Sequence, residues 1–532
     1  MFKKRLLLLP GLMAAALLAV AACGGPPGSD ALSNDRSVLR RGNGGVPGSL
    51  DPALAEDIHA FNILADLYEG LLAEAADGSL IPGVAESWTV SDDGLVYTFA
   101  LRPDARWSNG DPVVAADFVR AFRHVASPQT AAPLSFLLQP VRNFSGIVTG
   151  EKAPAELGIT AVSDDTLRID LAAPSNHWLS VLALPIAVPR HAAANDDVDD
   201  TIISNGAFSL LRRAVNGPVH LQRNEHFWNS NSVALDEVIY FPVVDPLAEF
   251  NMYRAGELEI THVIPSDLIG TATDDFGSEA RIAPSLALYY LAFDLTEPPF
   301  DKPLLRQALT MAIDRQQLVT IIGRGEQPAF GVVPPGVASY ERAQYSWANL
   351  SREQRELEAR RLYLEAGYST EKPLAIQLLY DAGGVHEKIA LTVESMWRDV
   401  LGVETTLDKR EWQYFLDTRS QRAEWDVMRF SWFGDYNAAM TFLEIFKSDS
   451  PQNLAGYQNA NYDGLLAGAA RQTDLRESAA IMQLAESALI NDYPVAPLYF
   501  YVSKHMVKPQ VAGFEDNVMD RHPSRFLMLI SD

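Results

Sequence analysis

The chain has 532 residues, is 48% hydrophobic and 21% charged, and carries a formal net charge of −25. This composition is globular, with no collagen-like, disordered or membrane bias, and the acidic excess argues against nucleic acid, whose phosphates need a basic surface. The length suggests two or three lobes, each with its own core.

Residues 1–22 read as a bacterial secretion signal. Lys3, Lys4 and Arg5 form a positive start, Leu6–Leu18 is a short apolar run broken by Pro10 and Gly11, and Val20-Ala21-Ala22 are small residues before Cys23. A cysteine at that position resembles a lipobox, in which the thiol is acylated and becomes the new N-terminus. A plain signal peptide or an uncleaved anchor are the alternatives, although the run is short and broken for a bilayer span. Cys23 is the single cysteine, so an internal disulfide, a catalytic thiol and a thiolate metal cluster are excluded. Removing the leader takes away three positive charges and moves the net charge from −25 to about −28. Residues 23–37 then form the lipidated end and a Gly/Pro/Ser tether.

Next comes a helical pattern, with Ile58, Phe61, Leu64, Ala65, Tyr68 and Leu71 on one predicted apolar face. Residues 78–112 read as strands and turns, with Asp93-Gly94 and Asn109-Gly110 as turn signals. A helix is predicted from Ala115 to Val125 and a hairpin over 157–171, turning at Asp164-Asp165. Residues 373–435 alternate strand and helix, as in a mixed α/β lobe. Residues 353–366 and 476–491 read as surface helices.

The stretch 410–443 concentrates chemistry. It holds Arg419, Arg429 and Asp435 with Trp412, Trp425 and Trp432. Arginine offers a fork of donors to a carboxylate, aspartate offers acceptors to an ammonium, and aromatic rings supply apolar walls. The same residues also suit a salt-bridge cluster over an aromatic core.

The blocks YEGLL, IPGVAESWTVSDDGLVYTFALRPDARWSNGDP, LGITAVSDDTLRIDLAAP, SNGAFSLLRRAVNGPVHLQRNEHFW, YRAGELEIT, YYLAFDLTEPPFDKPLLRQALTMAIDRQQLV and GVVPP occur in order. They resemble the extracellular solute-binding proteins of peptide ABC importers, above all the oligopeptide-binding branch. The resemblance spans essentially the whole mature chain. It implies an α/β, two-lobed periplasmic-binding-protein fold (type II, cluster C-like) with an extra inserted domain and a hinge. Lobe I would be residues 38–75, 190–285 and 505–532, the extra domain 76–189, and lobe II 286–504.

The resemblance also implies site residues. The ammonium-binding aspartate of the family stands before a Tyr-Asn pair, which places it at Asp435 in GDYN. The carboxylate-binding groups match Arg419 in DTR, Arg429 six residues before Asp435, and His386. Trp412, Trp432, Tyr499 and Tyr501 match cleft walls. A helix-local salt bridge remains the alternative for Arg419, and an ordinary core or surface histidine for His386. Three departures are visible: Ala438-Ala439 replaces the common Glu-Pro, the Arg419–Arg429 interval is one residue longer, and the segment between Pro189 and Asn205 is shortened.

No H-E-x-x-H, phosphate-loop lysine or G-x-S-x-G motif is present. The run from Asn459 to Gly464 mimics a calcium loop, but its twelfth position is Ala470. The expectation is a monomeric, non-enzymatic binding protein without cofactor or metal. It would be lipid-anchored through Cys23 outside a bacterial membrane, taking short peptides and docking on importer permease subunits. Murein peptides or a solute such as a metal chelate are alternatives, as is a secreted hydrolase from another class.

Overall fold

The computed structural model describes residues 36–530 except 176, 195–201, 338, 383–384, 412–413, 416–417, 419–424 and 473. Cys23, Trp412 and Arg419 therefore lie outside the described residues.

The first strands are β1 (Val38–Gly42), β2 (Leu72–Glu74), β3 (Leu80–Pro82), β4 (Ala85–Val90), β5 (Val96–Leu101), β6 (Ile159–Ser163) and β7 (Thr166–Asp170). Then come β8 (Phe208–Arg213), β9 (Val219–Arg223), β10 (Glu237–Phe241), β11 (Ala280–Phe293) and β12 (Gln327–Pro328). The last are β13 (Ala375–Asp381), β14 (Glu404–Arg410), β15 (Val427–Phe433), β16 (Val495–Met506), β17 (Val511–Ala512) and β18 (Met528–Leu529). One sheet has the order β1-β10-β9-β8, a second β4-β5-β7-β6, and a third β12-β16-β11-β15-β13-β14. Two hairpin-like pairs, β2-β3 and β17-β18, complete the described strands.

The second sheet lies wholly within the segment expected to form the inserted domain. Its hairpin turns at Asp164-Asp165 as predicted. In β5 the side chains of Tyr97, Phe99 and Leu101 are buried and alternate with half-buried neighbours, the period of a one-sided sheet. The helix Ala115–Ala126 starts where Asp117 accepts the Val114 backbone N–H at 3.1 Å.

The third sheet is covered on both faces. Leu286–Phe293 of β11 are all buried, which is why this segment reads as an unbroken apolar run. The helix His386–Leu401 covers it with Ile389, Val393, Met396, Trp397 and Val400, the predicted stripe.

β11 and β16 pair over their whole length, through the expected lobe boundaries at 285/286 and 504/505. The pairing is irregular between them: Pro284 faces Val502, and the next registered pair is Leu288 with Phe500. The extra residues bulge out of the ladder. There the Leu286 N–H donates to the Val518 carbonyl at 2.7 Å, and the Leu286 carbonyl accepts from Gly434 at 2.8 Å. Beyond the bulge, β16 bonds to the segment around Thr261.

One predicted face is corrected. The first helix is Ile58–Leu67 and buries Ala60, Ile63, Leu64 and Leu67. Ile58 is exposed, while Phe61, Ala65 and Tyr68 are half-buried. These residues border cavities, and Phe61 and Tyr68 also pack against the core from that side. The apolar period was real, but part of it serves a cleft. The run from Asn459 is a helix start, where the Asn459 side chain accepts from the N–H groups of Asn461 and Tyr462 at 3.0 and 3.1 Å.

Glu486, fully buried in the helix Leu475–Asp492, ties down the GVVPP segment. Its carboxylate accepts the backbone N–H groups of Val332, Val333 and Ala343 at 2.8–3.0 Å and the Tyr340 hydroxyl at 2.8 Å. Glu486→Ala leaves these donors buried without an acceptor, and chemical denaturation should show a loss of about 3 kcal/mol.

Candidate functional site

β15 delivers the site. It ends at Phe433, and Gly434 then passes so close to the β11 bulge that a Cβ would stand 2.5 Å from Leu286 Cδ2. A side chain here would push Leu286 aside. Tyr436 pins the other flank. Its buried ring stacks on His177 at 4.6 Å, and its hydroxyl donates to Glu444 at 2.9 Å. Burial pushes His177 down to about 4 and Glu444 up to about 7, so the His177 ring is neutral at neutral pH.

Asp435 is held between these two clamps. Its backbone N–H donates to Thr441 Oγ1 at 3.3 Å. Its side chain lines a cavity of about 490 Å³ shared with Phe61, Leu134, His262, Leu286, Phe433 and Arg521. That volume suits a small ligand. Among the described residues, no donor hydrogen-bonds to the Asp435 carboxylate. Burial raises its pKa to about 6, and the opposing pull comes from Arg521, itself engaged by Glu74 at 2.9 Å.

The other charged pole lies six residues back along the strand. Arg429 is buried, forms an ion pair with Asp381 at the end of β13, and lies over the Phe415 ring at 5.0 Å. His386 Nε2 stands 3.9 Å from the same Asp381 carboxylate. Burial first, and then Arg429, lower the His386 pKa to about 4. Two of the expected carboxylate-binding residues thus meet around one internal carboxylate.

A run of rings joins the two poles. His386 stacks on Tyr289 at 5.6 Å, and Tyr289 on Tyr499 at 4.9 Å. Tyr499 meets Tyr501 edge-on at 5.1 Å, and Tyr501 meets Phe433 at 5.1 Å. The Tyr501 hydroxyl shares a hydrogen bond with Ser431 at 2.9 Å. Tyr499 is buried inside this stack, whereas Phe433 is 60% exposed. Strand alternation turns Trp432 away from Ser431 and Phe433. Its indole N–H points to Thr441 at 3.5 Å and its ring packs on the core.

The sequence reading missed Asp381, Tyr289, Ser431 and Phe433. The period of β15 could have singled out Ser431 and Phe433 as sharing the Arg429 face. Asp381 carried no such signal, because its proximity to Arg429 comes from the order of strands in the sheet.

Residues 79–453 match the bacterial extracellular solute-binding proteins, family 5, middle region. The chain belongs to this family. The periplasmic oligopeptide-binding protein OppA of Escherichia coli (strain K12) is 35% identical over 521 residues, 96% of each chain. The probable deoxycholate-binding periplasmic protein YgiS of the same strain is 33% identical over 522 residues, covering 97% of this chain and 96% of YgiS. The unliganded open form of the periplasmic murein tripeptide-binding protein MppA superposes with a TM-score of 0.87 at 32% identity, covering 94% of this chain and 98% of MppA. Haemophilus influenzae OppA in complex with RPPGFSPFR gives 0.73 at 32% identity, covering 93% of this chain and 99% of that one. The family fold is α/β and two-lobed, and this chain shares it.

Burial holds the Asp435 carboxyl above its ordinary range. Its folded value, about 6, exceeds the unfolded 3.8, so the stabilisation it gives is complete below about 3.8 and is lost as pH rises through about 6. Asp435→Asn should therefore raise the stability of the ligand-free protein by about 1–2 kcal/mol at pH 7.5 and leave it unchanged near pH 3.5, as read by thermal melts.

Proposed function

We propose that this chain is the peptide-capturing subunit of an ABC importer, holding short peptides in the cleft with their ammonium group on Asp435. The observation that carries this is the Asp435 carboxylate itself. It is partly desolvated, faces a ligand-sized cavity and lacks a hydrogen-bond donor among the described residues. An arriving ammonium would supply the missing charge and hydrogen bonds.

Arg429 and His386, with Arg419, are assigned to the carboxylate end of the peptide. At ~3.3 Å per residue, the six steps from Arg429 to Asp435 span at most ~20 Å, room for a short extended peptide. Asp381 already offsets the charge of Arg429, so the ammonium end sets the register. Phe433 and Tyr501 form the wall between, and Tyr499 backs it, whereas Trp432, expected on the wall, packs on the core instead.

β11 and β16 supply the hinge between the proposed lobes, with the bulge at 285–287 as its floor. The better superposition on an unliganded open relative supports reading this as an open state. No described helix is long and apolar enough to cross a membrane. We assign membrane attachment to a lipid on Cys23, a monomeric state, and binding without catalysis. A second reading, an amphipathic carboxylate of the bile-acid type, draws on the YgiS similarity and the apolar cavity lining. Asp435 disfavours it, because the carboxylate would repel an anionic ligand.

Titration calorimetry separates these readings. Free tri- to penta-alanine should bind. Acetylating the peptide N-terminus, or Asp435→Asn, should weaken binding about 10–150-fold, the equivalent of roughly 1.5–3 kcal/mol, and amidating the C-terminus should cost less. Affinity for free peptides should also fall up to about tenfold per pH unit below about 6, and Asp435→Asn should abolish that slope. Binding of deoxycholate with no response to any peptide would overturn the proposal. Cell fractionation tests the anchor: Cys23→Ser should move the protein from the membrane to the soluble extracytoplasmic fraction.

A further inference from the structure

Peptide capture leaves one cluster of side chains unused. His505 lies near the end of β16, and Asp520 and His522 follow in the C-terminal segment. One ligand atom from each lies within 4.8 Å of the others, and among the described residues this is the one such trio. His505 Nε2 is 2.7 Å from Asp520 Oδ1, and His522 Nε2 is 3.2 Å from the same oxygen. Neighbouring ligands in a tetrahedral zinc shell, with bonds near 2.0–2.1 Å, stand ~3.3 Å apart. The trio is therefore near the required spacing before any ion arrives.

Each donor is braced from behind. His505 Nδ1 hydrogen-bonds to the Thr261 carbonyl at 3.0 Å, which fixes the ring and aims Nε2 at the centre. Outer partners do the same for metal-bound imidazoles. The His522 ring lies flat on Phe514 at 4.0 Å. Asp520 adopts a left-handed φ of +55°, uncommon for a side-chain-bearing residue, and its N–H is satisfied by the Asn517 carbonyl at 3.1 Å. His505 is buried, whereas Asp520 borders the cleft cavity with its side chain 33% exposed. The open side of the trio faces the cleft.

Protons now do the work that a cation could do. With Asp520 ionised, its Oδ1 accepts from both Nε2 atoms, and both then carry hydrogen. His505 also donates from Nδ1 to Thr261, which makes it an imidazolium. Burial opposes the charges of His505 and Asp520, and their attraction outweighs it, holding His505 above and Asp520 below its ordinary range. Other charges face the cluster. Arg41, which donates to the His522 carbonyl at 2.8 Å, and Lys504 are positive, and His262 is pushed down to about 4, mainly by burial. Glu249, raised to about 7 by burial, is the acidic neighbour.

We infer that His505, Asp520 and His522 bind one divalent cation of borderline softness, with a further coordination position open toward the cleft. Two imidazoles and a carboxylate suit zinc, cobalt, nickel or copper better than calcium or magnesium. The cation takes the place of the Nε2 proton of His505, and one proton goes to solvent per ion bound. His522 moves its hydrogen from Nε2 to Nδ1. The inference does not rest on the peptide reading.

Zinc chloride is the probe, added to EDTA-treated full-length protein. Calorimetry at pH 6 in two buffers of different ionisation enthalpy should show one zinc per chain and about one proton released. X-ray absorption should show two imidazole nitrogens and an oxygen near 2.0–2.1 Å. His522→Gln, on the C-terminal segment outside the strands, and His505→Gln should each weaken zinc binding by more than the roughly 10–100-fold lost with an outer partner. Melting curves without zinc check that each variant folds, and His522→Gln alone suffices should His505→Gln not fold. Absence of zinc uptake, uptake unchanged in a folded variant, or a spectrum without imidazole would overturn the inference.

Discussion

The antiparallel pairing of β11 with β16 is the constraint on which the other features depend. These strands stand side by side inside the six-stranded sheet and continue past it to the Thr261 segment. A regular ladder would leave nothing between them. The bulge at 285–287 instead sends Leu286 out to bond Val518 on one side and Gly434 on the other. That small irregularity brings the C-terminal segment and the end of β15 to one place, the floor of the cleft. Asp435, Arg521 and Asp520 all reach the cavity from there.

The site keeps its charges in an uneven state. At one end Arg429 is buried with Asp381, a pair whose mutual attraction answers the cost of removing both from water. At the other end Asp435 is partly desolvated with Arg521 as a distant, already engaged counter-charge. An uncompensated carboxylate weakens the ligand-free protein at neutral pH. The aromatic run from His386 to Phe433 joins the two poles.

The cluster of His505, Asp520 and His522 stands at the same floor, where β16 leaves the large sheet. Asp520 and Arg521, adjacent in the chain, link it to the cavity that Asp435 lines.

Much of the fold was legible in the sequence, because local periodicity reports burial directly. The stripe on His386–Leu401, the alternation in β5 and the Asp164-Asp165 turn needed only nearest neighbours. Arg429 and Asp435 were picked out through ordered motifs; β15 carries Arg429 and ends at Phe433, two residues before Asp435. The stripe from Ile58 misled, because a cleft wall and a core face are both apolar and periodicity cannot tell them apart. Partnerships across the chain were out of reach. Asp381 meets Arg429, and His505 meets Asp520, only through sheet order and the path of the C-terminal segment. By itself the sequence determined the secondary structure, the family and the identity of the charged groups, all of which depend on local pattern. Tertiary structure alone decided which charge is paired and which is desolvated beside a cavity, because desolvation and ion pairing depend on what folds against each group.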